Sequence, residues 1–378
     1  MTNYNFLDII SILSLFIGIL FSVFLFTSKT KNKLSNRLFG VFLLLSAIDN
    51  IFLSKLIGQT SYNTSAIVAL LVFLHLPIFY LYIVSVCYSG FKLKTKHILH
   101  TIPFFIVNLL LLTNFYGVNP ESSIILLSNL SEDFKNSFVH VFIHIQVVCY
   151  LVAVFIVLIR AKKIYLENYA NSSMAFYTWL FQLTIAISVL HVFAIFKNIY
   201  KFSDYETFYY WTRVALQLIE LTIFCWYVLK ALNAPNLFKS VDSKLKLTSN
   251  LISENNTPIT EAPKINDEVQ ALKNYMINEE PYLDSSLTIQ GLANQMKLHT
   301  KDVSILINHT IGKHFFDFIN EYRIQKATQI LEDSTQNQLT VLEILYHVGF
   351  NSKSSFNTAF KKYTGETPTA YRKLKITG

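Results

Sequence analysis

From Ala66 to Ser89 the chain carries no Asp, Glu, Lys or Arg and little besides aliphatic and aromatic side chains. A helix of about 20 apolar residues crosses a hydrocarbon core of about 30 Å. Backbone in lipid must satisfy its own hydrogen bonds, so such a run reads as a spanning helix and not as a strand. Six further runs have the same character, which places spans near 6–27, 37–57, 65–90, 97–116, 136–160, 173–197 and 207–231, with Pro77 and Pro103 marking kinks or starts. Charged residues are only 15% of the 378, against about 25% in a soluble domain. That composition argues against a purely cytosolic enzyme and against a disordered chain. Cys87, Cys149 and Cys225 lie inside apolar runs without the even count of a disulfide framework.

The first run lacks a basic segment before Ile9 and a small-residue cleavage site, and reads as a retained span, not a leader. Loop charge sets the orientation. Loops after spans one, three and five hold ten bases (Lys29, Lys31, Lys33, Arg37; Lys92, Lys94, Lys96; Arg160, Lys162, Lys163), whereas the alternate loops hold Lys55, Lys135, Lys197 and Lys201. The positive-inside rule puts the first set in the cytoplasm, the N-terminus outside and the C-terminus inside.

After Leu232 the composition changes. Residues 1–232 carry 16 Lys/Arg against 9 Asp/Glu, but 267–378 carry 12 of each. The expected organisation is a membrane domain over 1–232, a polar, proline-interrupted cytoplasmic linker over 233–266, and a helical domain over 267–378. Part of the linker has the alternative of a helical stalk continuing the seventh span.

In the last domain, Val269, Leu272, Tyr275 and Met276 have the spacing of one buried helix face, and Pro281 ends that helix. Thr288 caps a helix carrying Ile289, Leu292, Ala293 and Met296, and a turn at 297–299 leads into a second helix over about 300–310. Two short helices joined by a tight turn are the helix-turn-helix plan, whose second helix enters the major groove. The pattern repeats: Thr340 and Glu343 form a capping box, Gly349 supplies a turn, and Asn351 or Ser352 caps a helix to about Tyr363. Between the two pairs, 315–332 reads as one helix about 27 Å long, a rod able to hold two recognition helices near the roughly 34 Å spacing of adjacent major grooves.

The run GFNSKSSFNTAFKKYTGETPTAYRK at 349–373, with LTIQGLANQM and FFDFINEYRIQKATQIL before it, resembles the signature of AraC/XylS-type transcriptional regulators. The resemblance covers roughly 267–378 and rests on the spacing of Gly349, Phe350, Phe356, Phe360, Gly365, Pro368, Tyr371 and Arg372. It implies a helical domain with two helix-turn-helix units. By position in that motif, the base-contacting candidates are Lys301, Ser304, Ile305 and Asn308 in the first recognition helix, and Lys353, Ser354, Ser355, Asn357 and Thr358 in the second. Lys suits guanine O6/N7, Asn suits adenine N6/N7, and Ile305, where relatives often carry a polar group, suits a thymine methyl. Phosphate contacts fall to Lys361, Lys362, Arg372 and Lys373 and to the helix starts at Thr288 and Thr340. Within 353–378 six bases stand against Glu366 alone. Phe350, Phe356 and Phe360 read as core, not as stacking platforms.

Asp49, His75, His140, His144, His191, Arg213, Gln217 and Glu220 interrupt the spans. Ionisable groups in lipid are costly, and are usually functional or paired. Arg213, Gln217 and Glu220 form one stripe of the seventh span and are candidates for a membrane sensor; interhelical hydrogen bonding is the competing role. His140 and His144 have the spacing of two metal ligands but no companion cluster, so neither metal nor cofactor is expected. No phosphate loop, GxSxG or kinase signature supports an enzyme.

The fold class expected is therefore all-α: a polytopic transmembrane bundle of about seven spans followed by an AraC-type double helix-turn-helix domain. The function expected is a sequence-specific transcription factor in the bacterial inner membrane, coupling a sensed signal to promoter binding. Its expected partners are double-stranded promoter DNA, the lipid bilayer, a second copy in a homodimer, and a membrane or extracytoplasmic signal. Two alternatives stay open: a receptor or transporter whose C-terminal domain binds a protein, and release of the soluble domain by proteolysis.

Overall fold

The computed structural model describes residues 6–28, 33–53, 70–88, 90–110, 132–170, 175–201, 205–233 and 262–377. Every named element among them is helical, and Tyr169 and Thr288 form an isolated antiparallel bridge. The linker expected over 233–266 lies largely outside the described residues. The chain divides into two compact units, one of residues 1–159 and 176–243, the other of 160–175 and 244–378.

The helices α1 (Phe6–Thr27), α2 (Lys33–Leu53), α3 (Val72–Cys87), α4 (Ile102–Leu110), α5 (Glu132–Asn168), α6 (Ala175–Lys201) and α7 (Glu206–Asn233) each overlap one of the apolar runs, and all lie in the first unit except the end of α5 past Ile159 and the first residue of α6. Pro77 lies inside α3, and Pro103 is the second residue of α4, where its missing N–H costs no hydrogen bond. Among the described residues, three segments are long and apolar enough to cross a membrane: Phe6–Thr27, Phe138–Asn168 and Tyr177–Tyr200. On α5, Val141, Ile145, Val148, Val152, Ile156 and Ile159 form one helical stripe, each more than half exposed. Small residues let helices approach. A Cβ built on Gly18 of α1 would lie 2.5 Å from Ala47 Cβ of α2, and Ser22 Oγ donates to Gly40 O at 2.8 Å. Aromatic rings fill the interior, with Phe39 stacked on Tyr227 at 4.1 Å and Trp179 buried beside the same tyrosine.

The second unit holds α8 (Ala262–Asn278), α9 (Ile289–Gln295), α10 (Thr300–Ile305), α11 (Phe315–Glu332), α12 (Val341–His347), α13 (Lys353–Thr364) and α14 (Pro368–Thr377). There are two hydrophobic cores, and α11 serves both. Phe315, Phe318 and Ile319 pack with Leu272, Leu292, Val303 and Ile307, while Ile324, Ala327 and Leu331 pack with Ile344, Leu345, Phe356 and Phe360. The N-caps follow the sequence. Thr288 accepts from Gly291 N at 3.0 Å, Thr340 and Glu343 form their reciprocal box, and Ser352 caps α13. Gly365, at φ +82°, closes α13 in the left-handed conformation.

One segment departs from expectation. Regular helix from Thr300 ends at Ile305, and Leu306–Thr310 is a π turn in which Ile311 N donates to Leu306 O at 2.9 Å. Within this turn Asn308 Oδ1 accepts from Phe315 N, 2.9 Å away, and so caps the start of α11.

Candidate functional site

The two helix-turn-helix units, α9–α10 and α12–α13, present different faces. On α13, Phe356, Ala359 and Phe360 point into the core. Lys353, Ser354 and Thr358 on the other side are exposed, with Ser355 and Asn357 half-buried beside them. An amphipathic helix of this kind, held by its apolar stripe, offers its polar stripe outward.

The first unit is less open. Lys301 and Ile305 are half-buried, and Ser304 is only 4% exposed. Asn308 is fully engaged: its Nδ2 donates to Glu167 O at 3.2 Å and to Ser304 Oγ at 3.3 Å, while its Oδ1 holds Phe315 N. Glu167 is one of the last residues of α5, whose terminal carbonyls have no partner within the helix.

The phosphate-contact candidates divide in the same way. Lys361 is exposed, but Lys362 pairs with Asp317 at 2.6 Å. Nε and Nη2 of Arg372 are shielded from solvent and have no hydrogen-bond partner, whereas Lys373 is exposed. The α12 start already holds an anion, because Glu343 Oε2 accepts from Thr340 N at 2.7 Å. That hydrogen bond keeps the Glu343 carboxyl below the usual carboxylate range. Thr288 pairs with Tyr169 in an antiparallel bridge.

Sequence reasoning missed Arg323. It is 1% exposed, and its guanidinium donates to three carbonyls: Tyr282 through Nε at 2.7 Å, Ala170 through Nη1 at 3.1 Å and Asp284 through Nη2 at 2.8 Å. Its pKa is pushed down to about 10 by burial, against the pull of Asp284. The signal was available, since Arg323 sits four residues from both Ile319 and Ala327, inside the buried stripe of α11.

The first unit contains a cavity of about 310 Å³. Asp49, His75, His140, His144, His191 and Glu220, which interrupt five different apolar runs, all line it. Apolar and aromatic groups, including Phe39, Leu43, Leu183 and Phe224, complete the wall. His75 is 8% exposed; one ring nitrogen donates to the Leu45 carbonyl and Nε2 has no hydrogen-bond partner. The stripe expected on α7 is divided. Glu220 faces the cavity, Gln217 Nε2 donates to Ser11 Oγ of α1 at 3.1 Å, and Arg213 lies over the Tyr209 ring. His144 Nε2 bonds Asn198 Nδ2 at 3.1 Å. Among the described residues, no group of three or more His, Cys, Asp or Glu is placed to hold a metal ion.

Residues 292–374 match the family model described as "Helix-turn-helix domain". Over 91 residues the chain is 31% identical to the melibiose operon regulatory protein of Escherichia coli K12, covering 24% of this chain and 29% of that protein. It is 30% identical over 88 residues to an HTH-type transcriptional regulator, YdeC, of Bacillus subtilis, covering 23% and 29%. Over 144 residues it is 26% identical to the Msm operon regulatory protein of Streptococcus mutans, covering 38% and 50%. The chain thus spans half or less of the length of these relatives. The match thus lies in the C-terminal domain, where the chain resembles a helix-turn-helix domain shared with transcriptional regulators.

Proposed function

We propose that this chain is a membrane-bound, sequence-specific transcription factor. The observation that carries the reading is the pair of helix-turn-helix cores built on one shared rod, α11, with the polar stripe of α13 facing outward. The exposed apolar stripe of α5 supports the membrane placement, because contiguous apolar surface of that kind is unfavourable in water. Lys353 and Asn357 read bases, and Lys361 and Lys373 hold phosphates. The cavity in the bundle receives the signal. With one nitrogen of His75 donating, its Nε2 is a lone-pair acceptor, so the favoured occupant is a small amphiphile with a hydroxyl or amide donor and an apolar body.

Footprinting of the full chain in lipid nanodiscs, on a duplex selected from random-sequence DNA, tests the DNA reading. Lys353→Ala should relax preference at one position by about 1–3 kcal/mol of discrimination. Equal weakening on every sequence would move Lys353 to the phosphate class, and a chain that binds no duplex at low salt would overturn the reading.

A further inference from the structure

The end of α5 and the residues after it are built into the first helix-turn-helix unit. Ala170 is 1% exposed and belongs to the core of Leu272, Met276, Leu287 and Leu292. Its N–H donates to Leu287 O at 3.2 Å, its carbonyl accepts from Arg323, and Tyr169 pairs with Thr288 in antiparallel fashion. One turn earlier the carbonyl of Glu167, left open by the end of its helix, takes the Asn308 amide. Two residues proposed to meet DNA, Thr288 and Asn308, are therefore held by one short segment, while α13 of the second unit has no such cover among the described residues.

We propose that residues 167–170 are an intramolecular ligand of the first helix-turn-helix unit, and that this unit reads DNA only when the segment leaves. The proposal rests on the DNA-binding reading above. An Asn308 amide bonded to Glu167 cannot also pair with an adenine edge, and a chain lying along Thr288 blocks phosphate approach to the start of α9. Segment and DNA compete for one surface. The route to the signal is the helix itself: α5 runs unbroken from Glu132 to Asn168 and carries His144 on the cavity wall. A rotation or axial shift of α5 on ligand entry is delivered at its far end, as in other helix-shift switches.

The test uses the full chain in nanodiscs with Cys87, Cys149 and Cys225 replaced by serine. Tyr169→Cys with Thr288→Cys places two thiols on directly paired residues, where a disulfide can form. Oxidised and reduced samples of the same protein are compared, so loss of the Thr288 hydroxyl cancels. On the selected duplex, the oxidised form should bind about tenfold more weakly and protect only one half-site, and reduction should restore the second. Ala170→Arg, which cannot be housed in the core, should act oppositely, with affinity raised about tenfold. Should that variant fail to fold, the cross-link comparison decides alone. Oxidised protein that protects both half-sites with unchanged affinity overturns the proposal and leaves the DNA reading intact. Protein that binds no duplex in either state overturns both.

Discussion

Gly349 sits where the second helix-turn-helix unit meets the first. Its φ is +87°, and a Cβ placed there would lie 2.5 Å from Tyr282 O, 2.7 Å from Leu283 O and 3.0 Å from Arg323 Nε. Backbone oxygens cannot swing aside as a side chain can. Gly349→Ala should cost about 2–4 kcal/mol, the sum of a left-handed conformation and an overpacked contact. The check is hydrogen exchange in the full chain, with faster exchange across α12 and α13. Arg323, which shares the Tyr282 carbonyl, yields a sharper comparison. Lysine keeps the charge but offers a point donor in place of a planar fork, leaving carbonyls of Tyr282, Ala170 or Asp284 unsatisfied. Arg323→Lys should destabilise the domain by about 2 kcal/mol, read as a lowered urea midpoint. The sequence announced the glycine as a turn, but its close approach to residues 282 and 283 depends on distant chain meeting there.

Capping is the element-scale counterpart. Thr340→Ala removes the hydroxyl that accepts from Glu343 N, and should cost about 1 kcal/mol of domain stability. Three carboxylates are held below their usual range by local partners: Glu343 by the Thr340 amide, Glu332 by Tyr371 and then Lys375, and Glu280 by Lys326 and then Tyr282. A carboxylate whose folded pKa is depressed contributes stability that is present above its unfolded value and lost as pH falls through the folded one. Thermal melts should therefore show the C-terminal domain weakening on the acid side of the carboxylate range, and Glu343→Gln should flatten that dependence. These elements were legible because their signals are local: the box spans four residues, and α11 begins and ends where its apolar period does. The first recognition helix was not. In its π turn Asn308 caps a helix seven residues onward and bonds a carbonyl 141 residues back, and neither partner is visible in a periodic pattern.

At the scale of the whole chain, six polar interruptions scattered over five apolar runs converge on one cavity. Each was conspicuous in sequence because polarity in an apolar run is rare; their convergence was not, because it depends on how the helices pack. The segment at 160–170 was misweighted for the opposite reason. Arg160, Lys162 and Lys163 mark it as a basic loop, whereas Ile164, Tyr165 and Ala170 are buried, and Ala170 joins a core of helices more than a hundred residues away. That same basic triplet fixes the last prediction. Lys and Arg bias a loop toward the cytoplasm, and the ten in the loops after the first, third and fifth apolar helices outweigh the four in the others. If all seven apolar helices cross, as proposed, the N-terminus and the C-terminal domain lie on opposite faces. Fluorescent protein fused after Gly378 should glow, since it folds in the cytoplasm, and alkaline phosphatase inserted near residue 120 should be active, since it matures outside. Replacing Lys29, Lys31 and Lys33 by glutamine should erode both signals together, because the first helix contributes most to orientation. Active phosphatase at the C-terminus would place the helix-turn-helix units on the wrong side of the membrane for DNA.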